Sequence, residues 1–121
     1  TQIKQIHRRF VASEQAVIEG RVELRPLTTP LYRYADAEAG VIDGAVVSFA
    51  NGTNPEVLLT LEAVKSGDGA RWQYSLAQMT GGEVIVQLDG KEVWRCTEAD
   101  PPAKRDSYVN GWVFDTAFVP N

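Results

Sequence analysis

Cysteine and histidine are almost absent from this sequence. Cys96 is the one thiol and His7 the one imidazole. A single cysteine closes no internal disulfide, and one thiol with one imidazole falls short of the usual zinc and iron sites. No metal is therefore expected. His7 and Cys96 stand far apart in the chain, with no local signature of a Cys–His nucleophile. Cys96 reads as a structural or incidental thiol, and a lone thiol fits a reducing, cytoplasmic setting. Glycine-rich phosphate loops are missing too. The stretch Gly44–Gly52 has neither the spacing nor the lysine of one, and Gly67–Trp72 is a turn. No HExxH pattern, no DxDxDG loop and no nucleophile elbow around Ser48 or Ser75 occurs, so no cofactor is expected. No apolar run approaches a membrane span and no signal-peptide pattern is present, so no membrane contact is expected.

Charge is modest. Twelve basic and sixteen acidic residues leave a formal charge of −4, spread along the chain. That balance disfavours non-specific nucleic-acid binding, and no nucleic-acid partner is expected. The 121 residues are 44% apolar, with ten glycines and six prolines. Such a chain is long enough for one core and turn-rich enough for a sheet, so residues 1–121 are expected to form a single domain.

What the sequence does hold is a run of short apolar segments from Gly44 to Trp94. Ala45–Ala50, Val57–Val64, Arg71–Met79, Val84–Leu88 and Lys91–Cys96 are separated by turn-forming residues. Val57, Leu59, Leu61 and Ala63 alternate with Leu58, Thr60, Glu62 and Val64, which is the period of a strand. Asp89-Gly90 is the clearest hairpin signal, because a type I′ turn needs positive φ at both central positions. An antiparallel meander is predicted. Asn51-Gly52-Thr53 matches the N-glycosylation pattern, read here as incidental to a turn.

Around the meander, Ile3, Ile6, Phe10 and Val17 fall near helical spacing, and Gly20 follows as a terminator. The spacing predicts an amphipathic helix over 1–18, with Lys4, Arg8, Arg9 and Glu14 towards solvent and His7 beside the apolar stripe. Short strands are expected at Arg21–Pro26 and Leu31–Tyr34, giving a sheet over 21–96. Residues 97–106 read as a polar loop, and 108–119 as a last strand that buries Trp112 and Phe114. The expected fold class is α+β: an N-terminal amphipathic helix packed on a curved, mostly antiparallel sheet of six or seven short strands.

The segments Glu23–Tyr34, Asp43–Ala63, Trp72–Thr80 and Glu92-Val93-Trp94 together resemble a group of uncharacterised bacterial proteins of planctomycete-type genomes. The likeness covers most of residues 10–95. It implies an intracellular bacterial protein and brings no activity, cofactor or catalytic residue with it.

Two functional classes follow. The leading expectation is a small non-catalytic binding or protein-interaction module, a homodimer among its forms, whose partner is a protein or a small molecule. Its candidate surface is Arg25, Tyr32, Arg33 and Tyr34, because aromatic and arginine groups supply contact area and directional hydrogen bonds. The competing account places both tyrosines in the core. The alternative class is a small pocket enzyme of the NTF2-like kind. It would use Glu62 as a carboxylate general acid or base, with His7 or Tyr74, if a cover raised the pKa of Glu62.

Overall fold

The computed structural model describes residues 2–16, 18–96 and 116–121. Of these, 70% lie in strands and 6% in helix. One short helix, α1 (Gln2–His7), precedes β1 (Phe10–Ala16), β2 (Gly20–Glu23), β3 (Arg25–Asp36) and β4 (Val41–Asn51). Then come β5 (Asn54–Ser66), β6 (Gly69–Gln78), β7 (Val84–Leu88), β8 (Lys91–Cys96) and β9 (Ala117–Phe118). The strands form two antiparallel sheets, one of four strands in the order β2-β1-β7-β8 and one of five in the order β3-β4-β5-β6-β9.

This overturns the α+β expectation. No helix of seven or more residues exists among the described residues, so no amphipathic helix covers a sheet. Ile3 and Ile6 do bury themselves from α1, but the helix ends at His7. The segment expected to continue it becomes β1, where Phe10, Ala12 and Glu14 turn inward with period two. Ile6 and Phe10 also fit a helical period, which is why the window misled. The ladder decides the outcome. β1 is hydrogen-bonded to β2 on one side and to β7 on the other, and tertiary pairing outweighs weak local propensity. Gly20, expected to end a helix, instead has φ +78° and opens β2.

The single curved sheet is the second correction. The strand segments expected between Ala45 and Cys96 are strands, but they divide between two sheets. β3 to β6 run as a meander in one sheet, while β7 and β8 leave it and join β1 and β2. The chain first crosses between sheets at Leu24, whose N–H donates to the Ala12 carbonyl at 2.7 Å and whose side chain is buried. Of the two short strands expected, Arg21–Pro26 is divided at Leu24 between β2 and β3, and Leu31–Tyr34 falls within β3, a long strand at the edge of its sheet with a register shift between Leu27 and Tyr32. Proline is tolerated at such an edge.

The core lies between the sheets. Phe10, Ala12, Val84, Val86, Leu88 and Trp94 come from the four-stranded sheet; Val47, Phe49, Val57, Leu59, Leu61, Tyr74 and Leu76 come from the five-stranded one. Phe10 and Tyr74 meet edge-on across the gap, with ring centroids 5.0 Å apart. Among the described residues no helix is long and apolar enough to cross a membrane. The expected polar loop at 97–106 lies outside the described residues, as does 108–115 of the expected last strand, Trp112 and Phe114 included. In the described tail, β9 pairs with Gln73 and Tyr74, and Val119 is buried.

The turn between β7 and β8 has the expected geometry, with φ +53° at Asp89 and +82° at Gly90. A β-branched residue resists that region, so Gly90→Val is expected to destabilise the protein by about 1–3 kcal/mol. Equilibrium denaturation measures the change. An unaltered midpoint with an unaltered m-value would show that the turn does not constrain the fold.

Candidate functional site

The outer face of the five-stranded sheet carries a row built across four strands. Tyr34 of β3, Gly44 of β4, Glu62 of β5 and Gln73 of β6 are successive ladder partners. Gly44 leaves a gap in the row. A Cβ placed there would stand 2.6 Å from the Tyr34 ring carbons, so the ring lies where that side chain would be. The Tyr34 hydroxyl thereby reaches past β4 and donates to Glu62 Oε2 at 2.6 Å. Gln73 Nε2 donates to the other oxygen, Oε1, at 2.9 Å. Burial, with the Glu62 hydrogen bond and charge adding to it, pushes the Tyr34 hydroxyl pKa well up, so the phenol stays a donor. Tyr32 stands one row along and stacks on Tyr34, with centroids 5.7 Å apart and planes 21° from parallel. Its side chain is 63% exposed. The tyrosines are therefore not core residues.

The two arginines read with them are placed differently. Arg33 pairs in the ladder with Ala45, whose side chain is buried in the core, so Arg33 leaves β3 on the opposite face from Tyr32 and Tyr34. Its NH2 group donates to both oxygens of Asp43, at 2.8 and 3.0 Å. Arg25 donates to the Gly52 carbonyl. Neither pairs with Glu19, Glu23 or Asp36.

The proposed catalytic trio is not brought together. Glu62 belongs to the outer face. Tyr74 stands beside Glu62's neighbour Leu61 in the ladder and points inward to Phe10. His7 is 5% exposed and lies edge-on to Phe49, with ring centroids 4.8 Å apart. Burial pushes the His7 imidazole pKa down, partly offset by a hydrogen bond with the Ser48 backbone, so the neutral ring is favoured. Its Nε2 has no hydrogen-bond partner. Among the described residues no group of three His, Cys, Asp or Glu side chains could hold a metal ion.

Two features at the β4–β5 hairpin end escaped the sequence. Glu14, read as a solvent-facing helix residue, is 4% exposed on the inner face of β1. It accepts from Asn51 Nδ2 at 3.4 Å, which links the two sheets. Nearby Glu56 has its pKa raised by burial and by the Glu14 charge, against a lowering hydrogen bond from Thr80. The signal was available: read at period two, Phe10, Ala12 and Glu14 share a face. Cys96 completes this end. Its thiol, pushed up in pKa by burial, donates to Gln78 Oε1 at 3.0 Å. Burial disfavours the thiolate, which is the nucleophilic form.

At the opposite end of the five-stranded sheet is a cleft of about 640 Å³ between α1, the ends of β4 to β6 and residues Val119 to Asn121. Glu62, His7 and Tyr74 do not line it. Comparison with protein-family models, with curated proteins and with solved structures finds no match to this chain.

Two outcomes follow from this geometry. Tyr34→Phe removes a hydrogen bond to a carboxylate at a half-buried site, so it is expected to lower stability by about 1–2 kcal/mol in urea denaturation. No loss would mean that solvent replaces the bond freely. For Glu56 the folded-state pKa lies above the ordinary 4.5. Its protonated form is therefore favoured by folding. The contribution is fully present below that value and is lost as pH rises through the folded pKa. Glu56→Gln is expected to raise the melting temperature at about pH 7 and to change it little at about pH 3. A variant less stable than the parent at neutral pH would contradict the assignment.

Proposed function

We propose that this chain is a non-catalytic protein-interaction module, and that its contact surface is the Tyr32–Tyr34 stack on the outer face of the five-stranded sheet. One observation carries the reading. Tyr32 holds a large, mostly exposed ring against Tyr34, and Tyr34 is itself fixed by its bond to Glu62. Rigid aromatic groups with little rotamer freedom left to lose are the usual anchors of interfaces, since ordering at the moment of binding costs affinity. Arg25 and Arg33 act in this reading as braces of β3 and not as the anchors. The pocket-enzyme alternative draws no support from these positions, because both Glu62 oxygens accept hydrogen bonds and the trio is spread over two faces. A cytoplasmic setting belongs to the same proposal and is supported by the lone, free, partly buried thiol.

The partner is taken to be a second copy of the chain, which makes the surface self-complementary about a two-fold axis. Sedimentation velocity over a concentration series is expected to show a monomer–dimer equilibrium for the parent chain. Tyr32→Ala should weaken it by at least about tenfold, a value typical of an anchor residue. Its melting temperature should stay close to that of the parent. A parent chain that remains monomeric, or a variant that melts lower while dimerising as before, would overturn the reading.

A further inference from the structure

The outer row of the five-stranded sheet does not stop at Gln73. Gln73 pairs in turn with Phe118 of β9, so Phe118 closes the row at the edge opposite β3. Directly opposed residues of a ladder share a face, and Phe118 is 47% exposed there. Arg71 stands two residues before Gln73 on β6, hence on the same face, and is exposed. Its guanidinium lies over the Phe118 ring, 3.5 Å from the centroid. The face thus carries two aromatic groups, the Tyr32–Tyr34 stack at one end and the Arg71–Phe118 pair at the other.

The two ends are unlike, and they suit each other. One is made of phenol rings beside the Glu62 carboxylate. The other holds a cation, and a guanidinium stacks on aromatic faces whatever its N–H edge is bonded to. Their positions also fit one symmetry operation. The Tyr34 ring lies over Gly44 of β4, with Tyr32 stacked on it. Phe118 is on β9, three strand spacings away, or about 14 Å. A two-fold axis parallel to the strands and midway between β5 and β6 exchanges β4 with β9. It also sets β5 over β6, so the Glu62 carboxylate faces the strand that carries Arg71. A two-fold across the strands sets each strand on its own copy instead, and the two ends never meet.

We propose that two copies of this chain pack outer face to outer face about that axis, so that the Tyr32–Tyr34 stack of each lies on the Arg71–Phe118 pair of the other. The proposal rests on the dimer reading above and adds the second half of its contact. Arg71→Met keeps the apolar stem and should weaken the dimer about tenfold, as Tyr32→Ala does, in sedimentation velocity. A mixture of the two variants is the sharper test. Each homodimer lacks both copies of the contact, whereas the mixed dimer keeps one. Mixed dimers should therefore be about threefold tighter than either homodimer, beyond the statistical preference for mixed pairs. A third measurement needs no variant. Isotope-filtered nuclear Overhauser spectra of a labelled and unlabelled parent mixture should join Tyr32 or Tyr34 ring protons of one copy to Phe118 ring protons of the other. A dimer that responds to Tyr32→Ala but not to Arg71→Met, a mixed dimer no tighter than the homodimers, or tyrosine–tyrosine contacts alone between copies would each overturn this arrangement and leave the tyrosine surface standing. A parent chain that stays monomeric would overturn both.

Discussion

The antiparallel pairing of β1 with β7 joins residues 10–14 to residues 84–88, and the second layer of the fold exists only through it. Without that ladder, β1–β2 and β7–β8 are two isolated hairpins, which are marginal in water. With it, Ala12, Val84 and Val86 become fully buried opposite the meander. The other features hang from the same closure. Leu24 can be sealed at the crossover only because β1 is in place to accept its N–H. Glu14 can meet Asn51 only when the sheets are face to face. Arg9 can clasp Asp89 only because the β7–β8 turn sits beside the start of β1. Such contacts span most of the described chain, so the ordering cost of loop closure comes before the reward.

What could be read in advance divides along the same line. The strands from Ala45 to Cys96 were legible because each alternates and is bounded by turn residues, and Asp89-Gly90 specified its own hairpin. Those are local signals. The sheet to which each strand belongs is not local. Val84 to Leu88 alternates in the same way whether it extends the meander or pairs with β1. The N-terminal segment was harder still, because Ile3, Ile6 and Phe10 satisfy the helical period while Phe10, Ala12 and Glu14 satisfy the strand period. Only the distant partner β7 settles which one governs residues 10–16. Reading that segment as a helix then hid Glu14, since a carboxylate on a helix flank needs no partner and one on an inward strand face does.

The candidate positions show the same mixture. The shared face of Tyr32 and Tyr34 followed from period two, as did the opposite direction of Arg33. Their proximity to Glu62 did not, because it depends on a glycine in the intervening strand. Gly44 looked like the start of a strand, yet its bare backbone lets a ring lie across one strand and bond to the next. The grouping of Glu62, His7 and Tyr74 failed for a related reason. Glu62 and Tyr74 are close in the ladder but stand on opposite faces of a sheet, and His7 is held against Phe49. Each has contacts of its own: one carboxylate accepts two bonds, one phenol ring meets Phe10 across the layer gap, and one imidazole lies beside a ring.

The construction of β3 governs how anything could approach the tyrosines. It is a long strand at the rim of its sheet, the kind of rim that normally recruits a further strand and drives aggregation. Here Pro26 and Pro30 supply no N–H, and the register slip between Leu27 and Tyr32 breaks the regular repeat of donors and acceptors. An incoming extended segment would find no continuous ladder to join. Strand addition, the cheapest route by which a sheet acquires a partner, is therefore closed on this side. A partner of the proposed kind would come down on the flat of the sheet, where side-chain shape and not main-chain bonding does the selecting. The same two prolines that make β3 look broken in the sequence thus interrupt a rim that would otherwise invite strand addition.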